Sequence, residues 1–475
     1  TICRSVVAKG SRPTCCTNYT GPWDSSNLHG LLQATAATGR RPGGLAFGNE
    51  LVGEHGIEAH LRPAEYAREF RQFASVVRSA WPRRPPLLLA PDANFDEAWL
   101  SRFVDELFGS QAPPPPPLPA DQPAFQIAIS HHMYPLGAGD EKSLVAKILD
   151  PHKLDLVGER LLKAARVLSN RSGGFARLSV SETGGAYNSG QDGVTNAFVS
   201  GFWWNDLLGA LSKHGHAFAC RQSLVGGRYA LLDLRSGQPS PDFYSTWLWR
   251  TLMSPKALRV VRWSTRLRNA SVPARAPNAS AGPRRAPPPP PPAPDATPLV
   301  RAYAHCARSS TPLLNERGGV SVLMLNLGED AASITVELPG ADEEGGLARI
   351  DYVLTADTLG SRSVRLNAKR LRALPNGSLP LLQGTRARGR RLSLPPLSFG
   401  FFVWPEAGAR PCFTEKQMID ERRAERAERE RLGERTTGSP PRKRAGSSKS
   451  AASSARGNSV ASSAGVTLRR GGGGG

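Results

Sequence analysis

Gly43-Gly44-Leu45-Ala46-Phe47-Gly48-Asn49-Glu50 is a short apolar run without charge until it closes on a carboxylate. A second run of similar design, Arg177-Leu178-Ser179-Val180-Ser181-Glu182, closes on another. Short length, few charges and flanking turn residues mark both as buried parallel strands. A carboxylate on the last residue of such a strand opens onto the loop face where parallel α/β folds collect their chemistry. One glutamate behind a strand is most simply a solvated loop residue. Two of them, the first preceded by Asn49, suit glycosidic cleavage, which takes one proton donor and one nucleophile or base. Between them lie two more strand-like runs, Pro86 to Asp92 and Phe125 to His132. Helical stretches at Pro63 to Ala80, Asp96 to Phe108 and Pro151 to Ser169 separate the runs. A helix near Val194 to Lys213, a strand from Ala217 to Leu224 and a helix near Pro241 to Met253 follow. This alternation predicts a (β/α) barrel or an open doubly wound sheet. With Glu50 ending strand four, Glu182 ends strand seven and the Ala217 run is the eighth.

Several motifs stand in a fixed order: Gly21-Pro22-Trp23-Asp24-Ser25-Ser26-Asn27, Phe47-Gly48-Asn49-Glu50-Leu51, Leu88-Leu89-Ala90-Pro91-Asp92 and Ser130-His131-His132-Met133-Tyr134. Ser181-Glu182-Thr183-Gly184-Gly185-Ala186-Tyr187-Asn188-Ser189-Gly190, Cys220-Arg221-Gln222, Arg301 to Cys306 and Leu397 to Val403 continue the series. On these residues the chain resembles the heparanase and plant β-glucuronidase family of glycoside hydrolases, in its plant and algal heparanase-like branch. The resemblance runs from Gly21 to Cys412, and motifs in series are far more specific than a lone pattern. It implies an α/β fold, a (β/α)8 TIM barrel followed by a small antiparallel β-sandwich. It also implies a retaining double displacement, with Glu50 as acid/base, Glu182 as nucleophile and their carboxyl groups about 5 Å apart. Such a pair needs a protonated acid beside an ionised nucleophile.

The same resemblance assigns the pocket. Asn49 matches the residue that hydrogen-bonds the sugar hydroxyl beside the reacting carbon. Tyr187, Asn188, Ser189 and Gly190 stand where the family binds a uronic acid carboxylate, and Gln222 and Tyr229 align with further pocket positions. Asn188-Ser189-Gly190 is the plant form, in place of the heparanase glycine run, and points to an exo-β-glucuronidase. Tyr134 either supports the nucleophile or the sugar, or is a packed strand-end aromatic. His131 and His132 lack further His or Cys at ligand spacing, so hydrogen bonding at the barrel mouth is expected, with no metal and no cofactor. Arg221 and Arg228 either draw acidic glycans or close ion pairs, the second reading being preferred.

From Ala257 the pattern changes to short β-type runs at Val320 to Leu327, Ser333 to Leu338, Arg349 to Leu354, Ser363 to Leu366 and Phe399 to Trp404. These predict a small antiparallel sandwich. The resemblance implies a Cys306–Cys412 disulfide tying its ends, a closure worth about 3–5 kcal/mol in the chain-entropy model. An oxidising compartment follows, secreted, lysosomal, vacuolar or cell-wall, with peripheral membrane association as the alternative. Five Asn-X-Ser/Thr sequons at Asn18, Asn170, Asn269, Asn278 and Asn376 agree with it, each a weak signal alone. Cys220 is expected to be a buried free thiol; Cys3, Cys15 and Cys16 precede the matched stretch.

The 475 residues carry a net charge of +21, and the distribution says more than the total. Residues 436–475 hold seven Lys or Arg and no acid among Ser, Gly and Ala, a disordered basic tail open to contact with a polyanion. Residues 414–435 read as a charged helix, with Thr414 and Gln417 as a capping box. The expected domains are 1–20 unassigned, 21–256 barrel and 257–413 sandwich with a Pro-rich insert at 273–298. The proline runs Pro113 to Pro117 and Pro287 to Pro292 are spacers. No run is long and apolar enough to span a bilayer. Only 42 residues precede the run at Gly43, so the barrel is expected to lack its first strands. The expected partners are glucuronic-acid-containing glycans or glycoconjugates, met by a monomer. The alternative is an inactive fragment or relative that binds acidic glycans.

Overall fold

The computed structural model describes residues 23–52, 60–109, 126–169, 171–172, 174–264, 299–308, 314–338, 346–374, 376–431 and 465–470. The segment 1–20, both proline runs, the insert 273–298 and the sequons at Asn18, Asn170, Asn269 and Asn278 lie outside them. The first half alternates helix and strand: α1 (Ser26–Ala37), β1 (Gly44–Ala46), α2 (Pro63–Ala80), β2 (Leu87–Asn94), α3 (Glu97–Phe108) and β3 (Ile127–Met133). It continues with β4 (Gly137–Ala138), α4 (Leu144–Leu149), α5 (Pro151–Leu168), β5 (Ala176–Thr183), β6 (Ala186–Tyr187), α6 (Ser200–Lys213), β7 (Ala219–Arg221) and α7 (Pro241–Leu252). Helix α2 shows why the boundaries fall where they do. Pro63 occupies its first turn, and Tyr66, Phe70, Phe73 and Val77 recur at helical spacing as its buried face. In α3 the Asp96 carboxylate caps the Trp99 amide at 2.9 Å.

Strands β1-β2-β3-β5-β7 form one parallel sheet in that order, the curled half of a barrel. Their number equals the count from strand four to strand eight. Three expected elements of this half are shorter than predicted. The run at Gly43 keeps only Gly44–Ala46, exposed or half-buried rather than buried, so Glu50 stands in the loop beyond the strand instead of closing it. The Ala217 strand keeps only Ala219–Arg221, and the helix near Val194 starts at Ser200, because Gln191 and Thr195 close turns instead.

The second region is antiparallel: β8 (Met253–Ser264), β9 (Val300–Ala307), β10 (Val320–Asn326), β11 (Ala332–Glu337), β12 (Ala348–Thr355), β13 (Arg365–Leu366), β14 (Lys369–Arg370), β15 (Thr385–Arg388), β16 (Arg391–Leu394) and β17 (Ser398–Trp404). Ile334, Val336, Leu392 and Leu394 pack in one core with Val322, Met324, Phe402 and Trp404, the two apolar faces of a sandwich. Its first strand opens at Met253, four residues before the expected start at 257, because β8 follows α7 without a loop. Cys306 and Cys412 are joined by a disulfide. Helix α8 (Glu415–Arg431) begins on the reciprocal Thr414–Gln417 capping pair, with backbone-to-side-chain bonds of 2.9 and 3.2 Å. The tail is not wholly irregular: 465–470 form β18, between β8 and β11. Val466, Thr467 and Leu468 favour strand, and the slot supplies backbone partners on both sides.

Helix α6 joins the two regions. Its Phe198 neighbour stacks on Phe399 at 4.9 Å, and Arg301 and Tyr303 of β9 both bond Asp206. Arg301 also reaches Asp155 of α5 at 2.8 Å.

Candidate active site

Three carboxylates, of Glu50, Asp92 and Glu182, converge on the His132 imidazole where the parallel strands end. Glu50 donates its amide to the carbonyl of Asp92 at 2.9 Å. Both residues hold left-handed backbone, φ 52° and 56°, a conformation that costs free energy in side-chain-bearing residues and persists only where surrounding contacts hold it. The ladder also breaks register here. Pro91 pairs with Ser130 and Ala93 with His131, leaving Asp92 as an extra residue. His131 pairs with Val180 and His132 with Glu182, leaving Ser181 extra. Each such bulge re-aims the side chains beyond it, and together they bring Asp92, His132 and Glu182 to the mouth.

His132 Nδ1 lies 2.9 Å from Glu50 Oε1 and 3.9 Å from Glu182 Oε2, while its Nε2 lies 3.3 Å from Asp92 Oδ1. Nearest donor atoms of Glu50, His132 and Glu182 are all within 4.8 Å of one another. Two carboxylates whose nearest oxygens approach this closely suit the short carboxyl separation of retaining glycosidases, roughly 5–5.5 Å. Burial opposes charge on His132, but hydrogen bonds to Asp92 and Glu50 and the nearby Glu182 outweigh it and raise its pKa to about 9. The ring is therefore an imidazolium near neutral pH. The Tyr134 hydroxyl donates to Glu182 Oε1 at 2.7 Å, and burial, with that bond, pushes its own pKa up. His132 is 1% exposed against 19% for Glu50 and 28% for Glu182, so a ligand meets the carboxylates and not the ring.

Gly184 organises the wall beside Glu182. A methyl group there would stand 2.9 Å from the Tyr229 ring, 3.0 Å from the Gln222 carbonyl and 3.0 Å from the Tyr134 ring. Three of the expected pocket residues therefore meet at one point. Tyr187 is exposed, on β6, which pairs with β4 after strand β3. Asn188 and Ser189 follow in left-handed backbone, φ 55° and 68°, and Gly190 returns its amide to the Tyr187 carbonyl at 3.3 Å. Arg228 donates its amide to Ser189 at 2.7 Å, tying this turn to the Gln222–Tyr229 loop. Asn49 stands half-buried beside Glu50.

Two expectations change, and a third holds. His131 is not at the mouth. It is buried on the opposite face of β3, 3.0 Å from His216 and against Phe95, because neighbouring strand residues point to opposite faces. Of the pair expected there, only His132 hydrogen-bonds at the mouth. Cys220 is exposed, not buried. Arg221 follows the ion-pair reading: it bonds Asp242 at 2.8 Å and stacks on Trp203 and Trp204. Asp92 is a further site residue that the sequence reading does not include, although it ends the motif Leu88-Leu89-Ala90-Pro91-Asp92. Its signal is a carboxylate near the C-terminal end of a third apolar run, like those of Glu50 and Glu182.

A cleft of about 1120 Å³ adjoins the Arg228 loop. Arg228, Arg235, Arg362, Arg370 and Arg372 line it against two acids, Asp192 and Asp233. Neither Glu50 nor Glu182 lines this cleft or the groove of about 370 Å³ between α6 and β9.

Residues 6–209 match the model of glycosyl hydrolase family 79, N-terminal domain. The chain is 30% identical to the baicalin-β-D-glucuronidase of Scutellaria baicalensis over 396 residues, 82% of this chain and 64% of that protein. It is 28% identical to heparanase-like protein 1 of Arabidopsis thaliana over 428 residues, 82% of this chain and 68% of that protein. Less than two thirds of the Scutellaria relative is thus spanned. Among solved structures, a 4-O-α-L-rhamnosyl-β-D-glucuronidase from Fusarium oxysporum 12S aligns with TM-score 0.51 and 13% identity, over 84% of this chain and 82% of that one. At that identity the likeness speaks for the fold.

Proposed function

Because the chain belongs to glycosyl hydrolase family 79, the family of heparanases and heparanase-like proteins, we propose that it hydrolyses β-glucuronides with retention of configuration. The observation that carries this reading is the Glu50–Glu182 pair, within 4.8 Å and accessible at the sheet mouth. Glu182, oriented by Tyr134, attacks the anomeric carbon while Glu50 protonates the departing oxygen; Glu50 then activates water against the glycosyl-enzyme. Asn49 holds the neighbouring sugar hydroxyl. Tyr187 and the exposed turn at Asn188 and Ser189, with Gln222 and Tyr229, receive the uronic carboxylate. The plant-type turn favours exo action on glucuronic-acid glycoconjugates such as the baicalin in the name of the Scutellaria relative. The disulfide and the exposed sequon at Asn376 support an oxidising location, outside the cell or in a lysosome or vacuole. No helix among the described residues is long and apolar enough to cross a membrane.

The test is hydrolysis of 4-nitrophenyl β-D-glucuronide at mildly acidic pH, with the first-formed anomer read by NMR. A β-product lost in Glu182→Gln supports the reading; an α-product, or full turnover in that variant, overturns it. The arginine-lined cleft favours one second reading, a non-hydrolytic binder of acidic glycans. It requires polyanion binding that weakens with salt, with no product released.

A further inference from the structure

Asp92 touches the acid/base unit from two directions. Its carbonyl accepts the Glu50 amide at 2.9 Å, and its carboxylate meets His132 Nε2 while His132 Nδ1 meets Glu50. Its own amide donates to Ser130 Oγ at 3.1 Å, beneath His132 on β3. The side chain is nearly fully buried, so a ligand does not compete for it. We propose that Asp92 is a positioning residue: it sets the backbone of Glu50 through its carbonyl and, through its carboxylate, holds His132 Nδ1 against Glu50, so that the ring exchanges with Glu50 the proton that Glu50 delivers. This rests on the hydrolase reading above.

The groups facing His132 are accounted for on each side. Glu50 comes from the loop after β1, Asp92 from β2 and Glu182 from β5, with Tyr134, just past the end of β3, bonded to Glu182. The Cys220 thiol of β7 is pushed up by burial and then by the charge of Asp92. Behind β3, His131 faces His216 and Arg160 and is pushed by burial towards its neutral form. Among these, His132 is the group that three carboxylates hold protonated.

The proton path balances. The Nδ1 proton moves 2.9 Å to Glu50 Oε1. Glu50 passes it to the leaving oxygen as the bond from that oxygen to the anomeric carbon breaks and a Glu182 oxygen bonds to the carbon. His132 is then neutral and Glu50 ionised. In the second half Glu50 takes a proton from water, the water oxygen bonds to the carbon, and the bond to Glu182 breaks. The proton returns to Nδ1. Without a carboxylate on Nε2 the ring holds this proton less firmly and is free to swing from Glu50.

The experiment uses Asp92→Asn in the full chain. Asn keeps the carbonyl, the volume and a tolerance for left-handed backbone, and removes only the charge. The expected result is a kcat about 10- to 100-fold lower, part of the usual worth of general acid–base catalysis, with the basic limb of the pH profile displaced to lower pH. Asp92→Glu, which restores the charge, is expected to recover that limb in part. Profiles that superimpose for wild type and Asp92→Asn overturn the proposal. Histidine side-chain NMR reads the ring directly: His132 protonated at pH 7.5 in wild type supports it, and a neutral ring overturns it. That readout stands even if no β-glucuronide is turned over, an outcome that sinks the hydrolase reading alone, and it needs only the wild-type fold if Asp92→Asn does not fold.

Discussion

Two ladders in this molecule are built on opposite plans. In the sandwich, β10 and β17 pair from Val320↔Trp404 to Asn326↔Ser398 without one shift of register, and every residue of both strands is buried. In the parallel sheet, the pairs β2–β3, β3–β5 and β5–β7 each shift once, towards the ends that carry the chemistry. Regular pairing satisfies backbone groups and packs apolar faces, which yields stability. Irregular pairing spends some of that stability on aiming side chains. The contrast separates the effects of mutation: changes at the sheet mouth should alter turnover with little change in melting, and changes in the sandwich should do the reverse.

Glu182→Gln is the strongest challenge to that division. It should lower kcat by about 10³-fold or more with an unchanged melting temperature, checked by single-turnover kinetics beside calorimetry. A large fall in melting temperature would mean that the mouth also bears stability.

Replacing Cys306 and Cys412 together by Ser is the mirror experiment. Opening a crosslink that spans 106 residues should cost about 2–5 kcal/mol in urea unfolding, while the folded fraction keeps its kcat. Loss of turnover in the folded fraction would show that the sandwich shapes the site.

Gly184→Ala probes where regular strand gives way to pocket. The added methyl, 2.9 Å from Tyr229 and 3.0 Å from Tyr134, should cost about 1–3 kcal/mol by overpacking. A raised KM for β-glucuronides should accompany it; an unchanged KM would remove Gln222 and Tyr229 from the pocket.

The smallest effect is in pH. Burial lowers the pKa of His131, and lowers that of His216 to about 4, so both are neutral in the fold. An unfolded histidine, with pKa about 6.5, binds protons that these do not, so stability is present above pH ~6.5 and declines towards pH 4. The slope is at most about 1.4 kcal/mol per pH unit for each ring. His132 has the opposite sign. Its pKa of about 9 gives stability present below pH ~6.5 and lost as pH rises through about 9. Urea midpoints at pH 5, 7 and 9 should peak at pH 7, and His216→Gln should flatten the acid side. A wild-type midpoint no lower at pH 5 than at pH 7 would contradict the buried pair.

Much of the fold could be read in advance because it depends on local composition. Helix α2 ends where its Pro63 start and apolar spacing place it. Strands β2, β3 and β5 are apolar runs between turn residues, and Glu50 and Glu182 follow from their position behind such runs. Strand β8 carries a weaker local signal. Met253 to Ser264 carries Pro255, Lys256, Arg259 and Arg262 and has no clean alternation, yet β9 supplies backbone partners along part of it.

The sequence by itself determined the order of the elements, the two carboxylates and the boundary between a parallel and an antiparallel region, because periodicity and turn chemistry act over a few residues. Only the tertiary structure decided that His132 and not His131 faces Glu50. Side chains alternate along a strand, and a one-residue shift of register resets which of two neighbours faces the mouth. Those shifts, at Asp92 and Ser181, arise from pairing with other strands. The same reason hid Asp92: its carboxylate has meaning only beside a ring 40 residues away, brought there by the sheet.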